Sequence, residues 1–515
     1  MHTSTAVERG PGVITCVAIG VLCVVVPGAW DVFLYAVCIV TIIVVFLAAG
    51  SRIMAAIRPF SSVPIDRDDS YRPKVSVLVT SKDEPASIVI KSIAALTKLD
   101  YPDYEVIVIN SNNSDQDNYE RIAHYVASCP DNFRFVHVDK IHGFKAGALN
   151  YLNRHCILDD SVIEAVVDCD YIVDPNFLNR TVGYFRDKRV GLVQAPQDYS
   201  CVDGQNVGLY YEYRSFFSMI MHQAQRLGLV SFTGTMGLVR TSLMRQGIGW
   251  DESCITEDAE AGMRISREGY MGVYVDENLG KGYMPFDYDN LIRQRRRWVY
   301  GNMQVLSQNI AKVFHERGLD LRQKAAFLAQ TMAWFQPELV VSVISVVSLL
   351  SWHATGSYLF EVLGTAMLNL LAVCLTTSLV TFLVGLRRDA ALADRVKALL
   401  VHYGLLSVMS TAWLLWPLGY RMGFAVTRKV PDQNGHARVP ISQMVLILLL
   451  VACVLLMPHE APFIWGGVAS GFTAVLVLVS TLYTNWMFSQ AKLTSVQASV
   501  ESARRLATQE NGDPE

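Results

Sequence analysis

Between residue 52 and about residue 324 the chain is polar and mixed in pattern, yet on both sides it carries apolar runs that no soluble core requires. One water-soluble block must therefore sit between segments that belong in a bilayer, and that excludes most folds at once. A helical crossing takes roughly 20 apolar residues. Residues 13–26 and 32–49 form a close pair joined by Pro27-Gly28-Ala29-Trp30. Residues 332–352, 358–386, 441–457 and 462–483 each have the length to span. The composition agrees, with 51% of the 515 residues hydrophobic and 18% charged. The first span lacks an Ala-x-Ala exit and reads as a retained anchor rather than a cleaved signal.

Residues 398–418 are also apolar enough to cross, but basic residues flank them on both sides. Arg387, Arg388, Arg395 and Lys397 precede the segment, and Arg421, Arg428 and Lys429 follow it. Positive charge holds a flank in the cytosol, and one crossing cannot keep both flanks there. The pattern predicts an interfacial or re-entrant helix and six crossings; the rival is a seventh crossing that carries Lys429 outside. The expected domains are a helix pair (1–51), a cytosolic block (52–324), a membrane region (325–487) and a polar cytosolic tail (488–515). Within the membrane region, the interfacial helix (398–418) leads into a loop at 420–440. A net charge of −3 supplies no basic field for nucleic acid. The ten cysteines are scattered with no C-x-x-C pair, which fits reduced thiols better than disulfides or zinc.

In the soluble block, short β-branched runs at 75–80, 105–109, 133–138 and 165–167 alternate with helix-like segments at 88–96, 119–127 and 145–153. Such alternation predicts a parallel sheet covered on both faces. Ligands of these sheets bind outside the carboxyl ends of the strands, where strand order reverses. No GxGxxG follows the first strand, so a dinucleotide site is not supported.

Asp168-Cys169-Asp170 directly follows a predicted strand. A turning chain there lets both carboxylates approach one divalent ion, and Mg²⁺ favours one or two carboxylates plus phosphate oxygens. A lone D-x-D is more often a solvated loop pair, and it is the strand-end position that favours the metal. Thr256-Glu257-Asp258 opens a predicted helix with Thr256 as N-cap. The bland reading is favourable capping charge; the functional one is a carboxylate that takes a proton from an attacking hydroxyl. Lys145 sits at a helix start beside small residues, where amides and an ammonium can converge on phosphate, although a plain surface lysine fits as well. Gln294-Arg295-Arg296-Arg297-Trp298 lies more than thirty residues before the next span, too far for a membrane anchor. Arginine suits a departing diphosphate, and an indole face suits a sugar ring. Ser231-Phe232-Thr233-Gly234-Thr235 reads as an ordinary turn or as the floor beneath an acceptor.

Taken in order, these elements resemble the processive family 2 glycosyltransferases, in particular bacterial cellulose synthase catalytic subunits and related β-glucan synthases. The resemblance covers roughly residues 73 to 430. It rests on Phe144–Asn150, Asp168/Asp170, Val193-Gln194-Ala195-Pro196-Gln197, Thr256–Asp258, Gln294/Arg297/Trp298 and Phe424/Val426/Thr427/Lys429. It implies an α/β GT-A (Rossmann-like) cytosolic domain inserted between transmembrane helices. Asp168 and Asp170 would hold the nucleotide and its Mg²⁺ or Mn²⁺, with Asp258 the catalytic base. Asp83, Asn110, Lys145 and Arg297 would bind nucleotide or diphosphate, and Thr427 and Lys429 would close over it from a gating loop at 420–440. Gln294, Trp298, Thr233, Gly234 and Glu257 would hold the acceptor.

Two departures stand out. Asn110-Ser111 replaces the aspartate that family members use at the nucleobase, and Lys82-Asp83 stands where an asparagine is common. The implied protein is a multi-pass enzyme of the bacterial inner membrane. It polymerises a sugar nucleotide, UDP-glucose first, into cellulose, a mixed-linkage glucan or a β-1,3-glucan, and threads the product across the bilayer. A GDP-mannose-using glucomannan synthase, a non-processive transferase acting on a lipid acceptor, and a non-catalytic transport or scaffold subunit are the alternatives. Its partners would be the donor, the growing glycan, the bilayer and a periplasmic or regulatory subunit, with no nucleic acid.

Overall fold

The structure is a computed structural model that describes residues 28–58, 64–113, 115–200, 206–416, 418–420, 422, 439–457 and 464–510. The expected span at 13–26, Arg421, and the loop carrying Phe424, Val426, Thr427, Arg428 and Lys429 lie outside the described residues.

The sheet follows from side-chain alternation. Strand β1 (Val75–Ser81) sends Val75, Val77 and Val79 into one core and Leu78 into another. The strands β2 (Tyr104–Ser111) and β4 (Ile163–Asp168) divide in the same way, as a period of two requires. Helices Ala86–Leu96 and Gln116–Ala127 cover the first face through Val89, Ile93, Ile122 and Val126. Helix Phe144–His155 covers the second through Ala146, Leu149 and Leu152. Each fully buried aliphatic side chain contributes roughly 1.5–3 kcal/mol, so the two-sided burial anchors every strand. Strand and helix limits fall within a few residues of the sequence expectation.

Strand β3 (Phe133–Val138), β6 (Val190–Gln194), β8 (Gly237–Arg240) and β9 (Met271–Tyr274) complete a seven-stranded sheet in the order β3-β2-β1-β4-β8-β6-β9. β1 pairs in parallel with β2 and with β4, so strand order reverses between β1 and β4, where Thr80 lies opposite Asp168. The four expected strands pair in parallel, and β8, which the sequence did not mark, runs antiparallel to both β4 and β6. The chain reaches β8 from residues 231–235, already at the carboxyl ends of its neighbours, and can only run back. A small sheet joins β5 (Ile172–Val173), β10 (Gly280–Gly282) and β7 (Asp198–Tyr199).

Four helices are long and apolar enough to cross a membrane among the described residues: Ala29–Ile57, Glu338–Thr355, Tyr358–Gly385 and Trp465–Gln490. Their outward faces carry exposed Ile39, Phe46, Val475 and Leu482, which only lipid or a partner surface accommodates. The third span begins later than the expected residue 332, because Met332–Phe335 turn and Pro337 caps the helix at Glu338. Proline lacks the amide that a helix interior needs but suits a helix start. Helix Ile441–Leu456 is apolar but shorter, with 16 residues, about 24 Å. Residues 398–418 form part of a broken pair, Leu392–Gly404 and Leu406–Leu415, bent by 43°. Helix Ile464–Glu510 continues past residue 488 into the segment expected as the polar tail.

Candidate active site

At the switch point between β1 and β4 the sheet opens into a cavity of about 270 Å³. Its wall takes residues from the carboxyl ends of the strands, the starts of helices Phe144–His155 and Glu257–Arg267, one face of helix Tyr288–His315, and aromatic side chains from further helices. Gln294, Arg297 and Trp298 share that face because positions i, i+3 and i+4 of a helix lie together. Of the predicted site residues, Lys145, Asp168, Asp170, Thr233, Gly234, Glu257, Asp258, Gln294, Arg297 and Trp298 all reach this one cavity.

At the acid end, the Lys145 ammonium donates to Asp168 Oδ1 at 2.5 Å and to the Gly234 carbonyl at 2.7 Å. Burial disfavours that charge, but Asp168, Glu257 and Asp258 outweigh it and hold the lysine above its ordinary pKa. Asp170 is 4% exposed. The Asp168 amide donates to Thr235 Oγ1 at 3.0 Å, which turns the strand end toward the cavity.

Burial pushes the Asp258 carboxyl above the usual aspartate range, although the Ala259 amide, Lys145 and Arg297 pull it back down. Glu257 is raised as well, by burial first and by the Asp258 charge second. Arg297 is lowered by burial despite Glu257, Asp168 and Asp258 nearby. Gly234, at φ +93°, lets the chain approach Asp258 closely: a Cβ there would lie 2.9 Å from Oδ2. Thr256 precedes the helix as expected, but its side chain makes no capping bond; it packs on Gly301, where a Cβ would lie 2.4 Å from its methyl.

At the other end the wall is aromatic. The Trp298 ring lies 5.7 Å from Tyr213 and 5.3 Å from Trp334, which stacks on Phe216 at 5.5 Å. Phe216 opens a π-helical turn, Phe216–Met221, inside an otherwise α-helical run, a distortion that recurs at functional sites. The Tyr213 hydroxyl donates to Gln294 Oε1. Thr233 Oγ1 is buried with no hydrogen-bond partner among the described residues.

Two predicted residues do not line the cavity. Asn110 is fully buried and donates from Nδ2 to Ser81 Oγ at 2.9 Å, while its Oδ1 meets His137 Nδ1 at 3.2 Å. Its amide is thus absorbed by the strand ends, and its neighbour Ser111 reaches the cavity instead. Asp83 is exposed at φ 59°, on the turn beyond β1. Thr427 and Lys429 lie outside the described residues.

Sequence reading missed Tyr213, Phe216 and Trp334, since single aromatics carry no motif, and gave Gln194 and Gln197 no role. Gln194 accepts from the Thr233 amide at 2.9 Å and donates to the Thr235 carbonyl at 2.8 Å. Gln197 donates to the Thr233 carbonyl. Both shape the 231–235 turn, and two glutamines three residues apart at a strand end, in Gln194-Ala195-Pro196-Gln197, were the available signal.

The doubly covered sheet with carboxylates at its switch point is the GT-A fold. The backbone superposes on the mannosyltransferase PcManGT from Pyrobaculum calidifontis, solved with GDP-Man and Mn2+, with a TM-score of 0.50 and 19% identity over 67% of this chain and 98% of that one. Residues 73–301 match the family model described as "Glycosyltransferase like family 2", and the chain carries an enzyme domain of that family. Cellulose synthase 1 catalytic subunit (UDP-forming) of Komagataeibacter xylinus is 25% identical over 280 residues, 53% of this chain and 36% of that protein. Glucomannan 4-beta-mannosyltransferase 7 of Arabidopsis thaliana is 24% identical over 242 residues, 45% of this chain and 44% of that protein. The chain thus spans less than half the length of the curated relatives it matches.

Proposed function

We propose that the protein is a membrane-embedded, processive, inverting β-glycosyltransferase that extends a glycan from a sugar nucleotide and passes it through its own helices. The observation that carries this reading is the convergence of Asp168, Asp170, Asp258, Arg297 and Trp298 on one cavity, whose aromatic end reaches Trp334, directly before the span Glu338–Thr355. UDP-glucose is the first-choice donor and a β-glucan the first-choice product. Positive charge on both flanks of residues 398–418 supports a cytosolic side for this cavity, and the similarity to bacterial cellulose synthases supports the inner membrane of a bacterium.

Asp258 takes the proton from the acceptor hydroxyl as its oxygen bonds the anomeric carbon, and the bond from that carbon to the diphosphate breaks. One displacement inverts the centre, so an α-linked donor gives a β-linked product. Lys145 and Arg297 neutralise the departing diphosphate. Asp168 and Asp170 fit a divalent cation: two carboxylates at a strand end, one of them buried, leave the remaining positions to phosphate oxygens. Bound there, Mg²⁺ or Mn²⁺ would offset charge on the leaving group. Trp298 stacks on the terminal sugar, and the unpaired Thr233 hydroxyl meets one of its hydroxyls.

GDP-mannose is the second donor to test, because Asn110 leaves the nucleobase unassigned and glucomannan synthases are among the relatives. Membranes containing the protein receive radiolabelled UDP-glucose or GDP-mannose, and the product is sized and its linkages analysed. High-molecular-weight β-linked glycan is expected; a product confined to single sugars on lipid overturns processivity.

A further inference from the structure

We propose that Arg295 is a positioning residue that fixes the aromatic acceptor platform without touching the glycan, a role that rests on the acceptor reading above. Arg295 is completely buried and does not line the cavity. Its guanidinium carbon lies 4.2 Å from the Tyr213 ring centre, 4.6 Å from Trp334 and 4.7 Å from Trp298. All three of those rings do line the cavity. They come from three separate elements: helix Val207–Ser215, the turn before Glu338, and helix Tyr288–His315. One planar cation therefore joins three pieces of chain whose relative placement decides where a sugar can stack.

Its bonding supports this role over plain charge balance. Arg295 Nη2 donates to Glu212 Oε2 across a pair that is 0% and 1% exposed. Nε and Nη1 have no hydrogen-bond partner among the described residues. A buried ion pair is poor value for stability compared with apolar side chains of the same volume, and this one leaves two donors to ring faces. The carboxylate ties the cluster further, since Glu212 Oε1 lies 4.0 Å from His402 Nδ1 on the broken helix Leu392–Gly404. The Tyr213 hydroxyl, fixed by the same stack, holds Gln294. Arg297, two residues on, faces the acid end instead.

The test uses the full chain in detergent, carrying the neutral pair Arg295→Met with Glu212→Gln, which removes both buried charges at near-constant volume. Fluorine spectra of 5-fluorotryptophan protein, assigned with Trp298→Phe and Trp334→Phe, report ring placement without any turnover. The Trp298 signal is expected to shift or broaden, and the KM for cellotetraose to rise about tenfold while the donor KM stays within about twofold. A double variant with both the Trp298 signal and the acceptor KM unchanged overturns the proposal, because the pair then only balances its own charges. Should that variant fail to fold, Arg295→Lys keeps the charge but loses the planar stack, and the same two readouts decide. Failure of the wild-type protein to extend any glycan counts against the proposed function alone, since the fluorine spectra still judge Arg295.

Discussion

The two ends of the cavity are built from opposite physics, although one helix serves both. Arg297 turns to Lys145, Asp168, Glu257 and Asp258, where charges of both signs crowd a partly desolvated space. Arg295, two positions earlier and rotated by about 200° around the helix, turns to three aromatic rings and a single carboxylate. On the proposed function, the acid end handles a proton and a leaving anion, and the aromatic end holds a neutral ring. The same residue type therefore contributes electrostatics in one place and shape in the other. If the comparison is right, changes at the acid end alter the chemical step, and changes at the aromatic end alter acceptor binding.

The largest expected effect is at Asp258. Asp258→Asn removes the proton acceptor while keeping shape, and should lower turnover by about three orders of magnitude, with normal amounts of folded protein in membranes. Polymer output at the wild-type rate would break the assignment of chemistry to this end. Asp170→Asn comes next, with a loss of about a hundredfold that chelation of divalent cations should reproduce in the wild type. Activity indifferent to both changes would remove the metal from the acid end.

Trp298→Ala should act quite differently. It removes a stacking face, so the acceptor KM should rise about tenfold and products shorten, while the donor KM holds. A donor KM that rises in step with the acceptor KM would mean the two ends are not separable. This is the sharpest check on the comparison, because Trp298 and Arg297 are adjacent in sequence.

How much of this was legible beforehand divides along the same line. Residues that carry charge at strand ends and helix starts, such as Asp168, Asp170, Glu257, Asp258 and Lys145, were found because β-branched runs and helix punctuation locate those ends. The sheet strands were found for the same reason, since burial on both faces writes itself as apolar runs. The antiparallel turn of β8 was not, because direction depends on where the preceding loop lies in space. The aromatic end was largely hidden. Tyr213, Phe216 and Trp334 converge from separate elements, and nothing local distinguishes them from ordinary core aromatics. Asn110 was placed at the right strand end, but its hydrogen bonds to Ser81 and His137 are tertiary and turned it away from the cavity.

The smallest effect expected is a displacement in pH, and it separates the two ends cleanly. Burial raises the Asp258 carboxyl, so the base is ionised, and the rate full, only at pH above the usual aspartate range. Rate should fall as pH drops through that raised value. The Lys145 ammonium opposes the rise, so Lys145→Met should move the acidic limb of the kcat profile to higher pH, whatever it does to the maximum rate. No aromatic side chain contributes charge there, and Trp298→Ala should leave the limb where it is in the wild type. Profiles taken from about pH 4, near the ordinary aspartate value, up to about pH 9 distinguish these outcomes. A limb that moves as far in Trp298→Ala as in Lys145→Met would show that the aromatic wall sets the desolvation of Asp258. The cavity would then be one electrostatic unit rather than two ends with separate tasks.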